Sequence, residues 1–233
     1  MELGLMHAFN REHLGQRDAD VALAARIKSF ETAFSMQREA PEAFDLSKES
    51  DATLALYGLE RGKTSGFGWQ CLVARRMAER GVRFIELIDV GASSNWDAHS
   101  DMATHIPLAK NVDQPVAALI KDLKARGMLD DTLVVFTTEF GRTPTKDSPK
   151  GRSHHARCFS SWLAGGGVKG GISYGETDDI GANIVRDEVH VHDFHATILH
   201  LLGLDHTKLT FRHAGRDFRL TDVAGNVVKP ILA

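Results

Sequence analysis

Thr132–Pro144 reads TLVVFTTEFGRTP, an apolar run rich in β-branched residues that stops at a carboxylate, Glu139, followed by Gly141 and Arg142. A strand ending in a charged side chain and a tight turn delivers that side chain to the rim of a sheet. In open α/β sheets, ligand sites gather beyond the carboxyl ends of the strands. Upstream, VRFIELIDV (82–90) has the same strand character. Between the two lies a helical pattern over about 104–126, with Leu108, Val112, Val116, Leu119, Ile120 and Leu123 on one face. Strand, helix, strand predicts a right-handed crossover and parallel pairing. The expected fold class is therefore α/β, a mainly parallel sheet flanked by helices.

Around this unit the chain is expected to form a single α/β domain over 1–233. It has a helical part (1–80), a core with the site loops (82–203) and a tail (204–233). Apolar positions from Val21 to Phe34 are spaced for a helix over 19–39, followed by a polar segment containing Pro41. Residues 67–80 read as a second helix. Gly81, Gly127 and Gly203 are placed to end their helices, the last running from His192 to Leu202. Pro115 within 104–126 predicts a kink or a break. GGGVKGG (165–171) lacks the Lys-Ser/Thr ending of a phosphate loop and reads as a tight turn.

Composition excludes several classes. At 233 residues, 42% apolar, 25% charged and net charge −3, the chain has the profile of a soluble globular protein, not a nucleic-acid binder. Arg75, Arg76, Arg80 and Arg83 form a small basic cluster, read as a solvated helix face. Cys71 and Cys158 both lie in apolar runs and read as buried thiols rather than a disulfide framework. The first residues lack the charge and apolar core of an export signal, and no run is long enough to span a bilayer. Taken literally, this describes a soluble intracellular chain.

Three pieces of chain carry metal-ligand chemistry. Asp97 and His99 form a D-x-H pair in a loop past the first strand, where residues i and i+2 of an extended segment share a side. They read either as an Asp-based turn or as two ligands of one cation. Carboxylate plus imidazole suits zinc, manganese or iron better than calcium. Glu139 reads either as a turn cap paired with Arg142 or as a ligand, with Arg142 then holding an anion through its planar fork. In RSHHAR (152–157), His154 and His155 diverge on a strand, so one is expected as ligand and the other as a contact to a ligand or substrate. At His190, His192, His195 and His200 the ordinary reading is packing, with Asp193 capping the helix. Ser93, Ser94 and Ser153 are loop serines outside any nucleophile motif.

The run LIKDLKARGMLDDTLVVFTTEFGRTP (119–144) and the later HDFHATILHLLGL (192–204) resemble the DUF1501 family, sulfatase-like proteins of the alkaline phosphatase superfamily. The resemblance extends from ARIKSFETAFSMQREAPEAFDLSKES (25–50) to GRDFRLTDVAGNV (215–227). It implies an alkaline phosphatase/sulfatase-like core, present as a C-terminal half of an exported (periplasmic or extracellular) parent. It further implies a divalent metal, zinc or manganese, bound by Asp97, His99, Glu139 and His154 or His155, and an anionic ester bound by Arg142 or Arg152. Asp193 falls in the stretch that resembles a helix of that superfamily. Phe140 stands where the superfamily pattern has a metal-binding histidine, and the strand that would supply a nucleophile has no counterpart.

The expected function is accordingly metal-dependent hydrolysis of sulfate or phosphate esters by a chain lacking the nucleophile half, weakly active or inactive by itself. The alternative is a non-catalytic binding or assembly module on the same fold. A third expectation is a homo-oligomer, since a half-domain leaves a sheet edge open. All three rest on Asp97, His99, Glu139 and a histidine of the doublet meeting at one rim.

Overall fold

The computed structural model describes residues 2–16, 21–89 and 95–233. Ser93 and Ser94 lie outside the described residues, as do the ends of two expected elements (Ala19 and Asp20 of the first helix, Val90 of the first strand).

Helices occupy the first half of the chain. α1 spans Glu2–Gly15, α2 Val21–Phe44, α3 Asp51–Leu56, α4 Phe67–Glu79 and α5 His105–Ala125. The polar segment expected at Pro41 is instead the last turn of α2. α3 begins where Ser50 caps it, its Oγ accepting from the Thr53 amide at 3.0 Å. Gly81 (φ 79°) and Gly127 (φ 67°) end α4 and α5 in the left-handed conformation. In each case the following residue's amide reaches back to the last turn, Val82 to Met77 and Met128 to Leu123. α5 runs unbroken through Pro115, so of the expected kink or break the break does not occur. The neighbouring Gln114 Nε2 donates to the carbonyls of Ala55 and Leu56, tying the helix to the end of α3 at that turn.

Leu54, Tyr57, Leu59, Cys71, Leu72 and Ala118 form the core between α3, α4 and α5. Burial pushes the Cys71 thiol up to about 12, so it stays a neutral packing residue. Beside this core the basic cluster divides: Arg80 and Arg83 are exposed as expected, whereas Arg75 and Arg76 are buried. Arg75 is 2% exposed and pairs with Glu49 (2.9 Å), Glu79 (2.7 Å) and Asp122 (3.0 Å). Arg76 is also buried, bound to Glu49 and to the carbonyls of Ala43 and Glu42. Carboxylates from a loop, α4 and α5 thus converge on two arginines that a one-dimensional reading places in water.

The expected parallel sheet is not present among the described residues. The named strands form four two-stranded antiparallel sheets among the described residues. β1 (Val134–Phe136) pairs with β4 (Trp162–Ala164), β2 (Gly141–Lys146) with β3 (Arg152–His155), β5 (Glu176–Thr177) with β6 (Ile184–Arg186), and β7 (Thr210–His213) with β8 (Arg216–Arg219). Residues 82–89 have strand composition but no ladder, with Phe84 75% and Ile88 58% exposed. A strand needs a partner as well as β-propensity, and β1 takes its partner from β4 rather than from 82–89. Stacking of Phe136 on Trp162 (centroids 5.3 Å, rings 3° apart) supports that pairing. The alkaline-phosphatase-like core expected from the resemblance falls with the parallel sheet. The observed fold is helical in its first half and, in its second, carries short two-stranded antiparallel sheets and one further α-helix.

The last helix, α6 (Val191–Leu201), is capped as anticipated. Asp193 accepts the His190 amide with one carboxylate oxygen and the Asn226 amide with the other, fastening the tail to the helix start. GGGVKGG forms the turn after β4, and its far side holds the chain end through Lys169 and Ala233. Among the described residues, no helix is long and apolar enough to cross a membrane.

Candidate metal centre

Three loops meet at one point because β2 and β3 fold back on each other. Their pairing sets Arg142 opposite His154 and Gly141 opposite His155. Side chains alternate across a strand, so the two histidines diverge as expected. His155 Nε2 lies 3.1 Å from the Ala182 carbonyl, away from the other candidates. His154 faces the 95–99 loop. That loop docks on β3 through the Arg152 amide, which donates to the Ala98 carbonyl at 3.1 Å.

Asp97 Oδ1, His99 Nε2 and His154 Nε2 stand at the corners of a nearly equilateral triangle. Its sides are 3.1 Å (Asp97–His99), 3.0 Å (Asp97–His154) and 3.0 Å (His99–His154). Zinc bonds of about 2.0–2.1 Å at tetrahedral angles place ligand atoms about 3.3 Å apart. The triangle is thus close to one face of a tetrahedron. Among the described residues it is the single group of three His, Cys, Asp or Glu donors arranged this closely.

The surroundings hold each corner. Arg142 Nη2 donates to Asp97 Oδ1 at 2.6 Å and to the Trp96 carbonyl at 3.1 Å, while Nη1 donates to the Arg152 carbonyl at 3.3 Å. The Arg142 bond, seconded by the one from His154, pulls the Asp97 carboxyl down to about 2, so it is ionised at any physiological pH. Phe140 stacks on the His154 ring (centroids 4.1 Å, rings 28° apart) and forms one wall of the site. Phe140 therefore contributes a ring contact to His154 and no donor atom of its own.

His99 carries a partner that sequence reading missed. Its Nδ1 lies 2.6 Å from Asp147 Oδ2. In the sequence, Asp147 sits in TKDSPKG and looks like an ordinary turn residue. Only the docking of that turn on the 97–99 loop reveals the contact.

Not every candidate joins the group. Glu139 turns to its neighbour, accepting from Thr138 Oγ1 at 2.7 Å. That bond is the first cause of its lowered pKa. Arg152 directs Nη1 to the Gly151 carbonyl and takes part in the site through its backbone. The guanidinium of Arg142, expected to bind an anion, is engaged by Asp97 and two carbonyls. The structure therefore brings together Asp97, His99, His154 and Arg142; Glu139 lies within electrostatic reach of Arg142 and His154 but is not one of the three clustered donors, and His155 and the Arg152 side chain bond elsewhere.

The fold and site define a protein with a helical first half and a part-exposed His₂Asp cluster set on β3 and on the loop docked against it. The chain belongs to the family described as "Protein of unknown function (DUF1501)", which it matches over residues 1–232. Nothing in that match ties it to the sulfatase or alkaline phosphatase superfamily, and the match runs along essentially the whole chain. No curated protein and no solved structure matches it.

Proposed function

We propose that this chain binds one divalent cation through Asp97, His99 and His154 and serves metal-dependent hydrolysis of an anionic sulfate or phosphate ester. The observation that carries the reading is the donor triangle with its sides of 3.0, 3.0 and 3.1 Å. Two imidazoles and a carboxylate form a donor set used by catalytic zinc and by non-haem iron, with coordination positions left for water or substrate. A cation held there would polarise an ester oxygen and lower the pKa of a bound water. The chain's own groups do the rest. Arg142 keeps Asp97 ionised and aimed, Phe140 backs His154, and the half-exposed setting leaves room for a polar substrate.

The test is uptake and selectivity. Zinc, manganese and ferrous iron are titrated calorimetrically into chelator-treated protein, alongside Asp97→Ala and His154→Ala. Zinc or manganese is expected to bind one per chain, with uptake lost in both variants, and aryl sulfate and aryl phosphate hydrolysis is expected to follow the metal. Wild type that takes up no metal, or variants that bind as well as wild type, refutes the reading.

A second reading has an observation in its favour. His99 lies between two carboxylates, Asp97 at 3.1 Å and Asp147 at 2.6 Å, and a doubly protonated ring would satisfy both. The cluster would then be a surface ion-pair knot, and the protein a binding or assembly module. Folding and partner capture indifferent to chelator, with no metal-dependent hydrolysis, are its signature.

A further inference from the structure

We infer that Asp147 is the positioning residue of the centre: it fixes the tautomer and ring orientation of His99, so that Nε2 presents its lone pair to the Asp97–His154 pair. This rests on the metal reading above for its functional meaning, but the geometry stands by itself. A carboxylate oxygen at 2.6 Å from Nδ1 has no proton to give, so the ring must donate from Nδ1. In the neutral ring that leaves Nε2 without hydrogen. Nε2 is the atom 3.1 Å from Asp97 Oδ1 and 3.0 Å from His154 Nε2. Metal-bound histidines characteristically donate their other nitrogen to a carboxylate or carbonyl, which raises ligand basicity and holds the ring.

The mount for Asp147 is built independently of its carboxylate. The Asp147 amide donates to the Gly151 carbonyl at 3.2 Å, closing the turn. Ser148 Oγ lies 2.9 Å from the carbonyls of both His99 and Ser100, and accepts the Gly151 amide at 2.9 Å. The Met102 amide donates to the Lys150 carbonyl at 3.0 Å on the far side. The turn is thus riveted to the 97–102 loop by backbone and serine contacts. Replacing the Asp147 side chain removes the bond to His99 and leaves the turn in place.

The experiment compares wild type with Asp147→Ala, Asp147→Asn and Asp97→Ala in two measurements. Long-range proton–nitrogen NMR of the metal-free protein, made alkaline enough that the imidazole carries one proton, reads the tautomer of His99. Calorimetry with zinc reads affinity. The expected results are a ring protonated at Nδ1 alone in wild type and mixed tautomers in Asp147→Ala. Zinc binding should be weaker by about 10–100-fold in Asp147→Ala, with a smaller loss in Asp147→Asn, which keeps an acceptor. Circular dichroism and thermal midpoint of the metal-free variants should match wild type. If Asp97→Ala loses zinc while Asp147→Ala retains wild-type affinity and tautomer, Asp147 is idle and the inference falls, with the metal reading intact. If no protein binds zinc, the metal reading falls, and the tautomer measurement still decides the role of Asp147. A wild-type ring that carries its single proton on Nε2, or a mixture of the two tautomers, overturns it.

Discussion

At the scale of single residues, the site depends on one glycine as much as on its three donor side chains. A Cβ on Gly151 would lie 1.6 Å from the His99 carbonyl oxygen and 2.7 Å from Ser148 Oγ. Gly151→Ala must therefore push the 147–151 turn off the 97–99 loop. We expect a destabilisation of about 1–3 kcal/mol by urea denaturation, together with weakened metal uptake. A variant as stable as wild type would mean that the two loops are not packed as described. A second prediction concerns Asp205, held near 2 by bonds from the Thr207 hydroxyl and amide and from Lys208. Its folded pKa lies below the ordinary carboxyl range, so its contribution is present above about pH 4 and lost as pH falls through about 2. The gap in urea midpoint between wild type and Asp205→Ala should be constant from neutral pH to about 4 and close below it. A gap that widens on acidification contradicts this.

Among the elements, α4 and α5 are joined by a charged seam. Arg75 meets Glu79 of its own helix, Asp122 of α5 and Glu49 from the loop before α3. Arg126 adds a second link to Glu79 and Asp122 at the rim. Tyr57 donates to Asp122 at 3.1 Å, closing the network against the core. Removing one partner of a buried ion pair strands the others, typically costing about 3–5 kcal/mol. Arg75→Ala should lose that much stability, whereas Arg61→Ala, whose ion pair with Asp51 is exposed, should change stability by no more than about 1 kcal/mol. Equal small effects would show that the seam contributes geometry without energy. Motif reading took Arg75 for a solvent-facing residue because helical periodicity cannot tell a wet face from one meeting three carboxylates. Conversely, the helix ends at Gly81 and Gly127 were legible, since a C-cap is decided by residues a few positions apart.

Over the whole molecule, apolar surface is left uncovered. Phe30, Phe84 and Val223 are 69%, 75% and 75% exposed, and each two-stranded sheet has outer edges without a strand partner among the described residues. Surfaces of this kind favour association. Sedimentation velocity is expected to show concentration-dependent self-association, and native protein is expected to bind an apolar dye. A monodisperse, dye-silent monomer would contradict both. The exposure of Phe84 goes with the absence of the crossover expected from 82–138, since β1 pairs with β4. The composition of 82–89 specifies extended chain, but its pairing partner is chosen by contacts made elsewhere.

What the amino-acid sequence determined by itself is local: helix stretches, their glycine stops, the cap at Asp193, and three short segments carrying ligand-type side chains. Tertiary structure decided which segments pair and which side chains meet. It selected His154 over His155 through the register of β2 and β3, drew Asp147 to His99 across 48 positions, and gave Glu139 a hydrogen bond from Thr138 in place of a corner of the triangle. The physical reason is range. Propensities and caps arise from neighbours along the chain, whereas a three-donor centre exists only where distant loops are packed to within a hydrogen bond of each other.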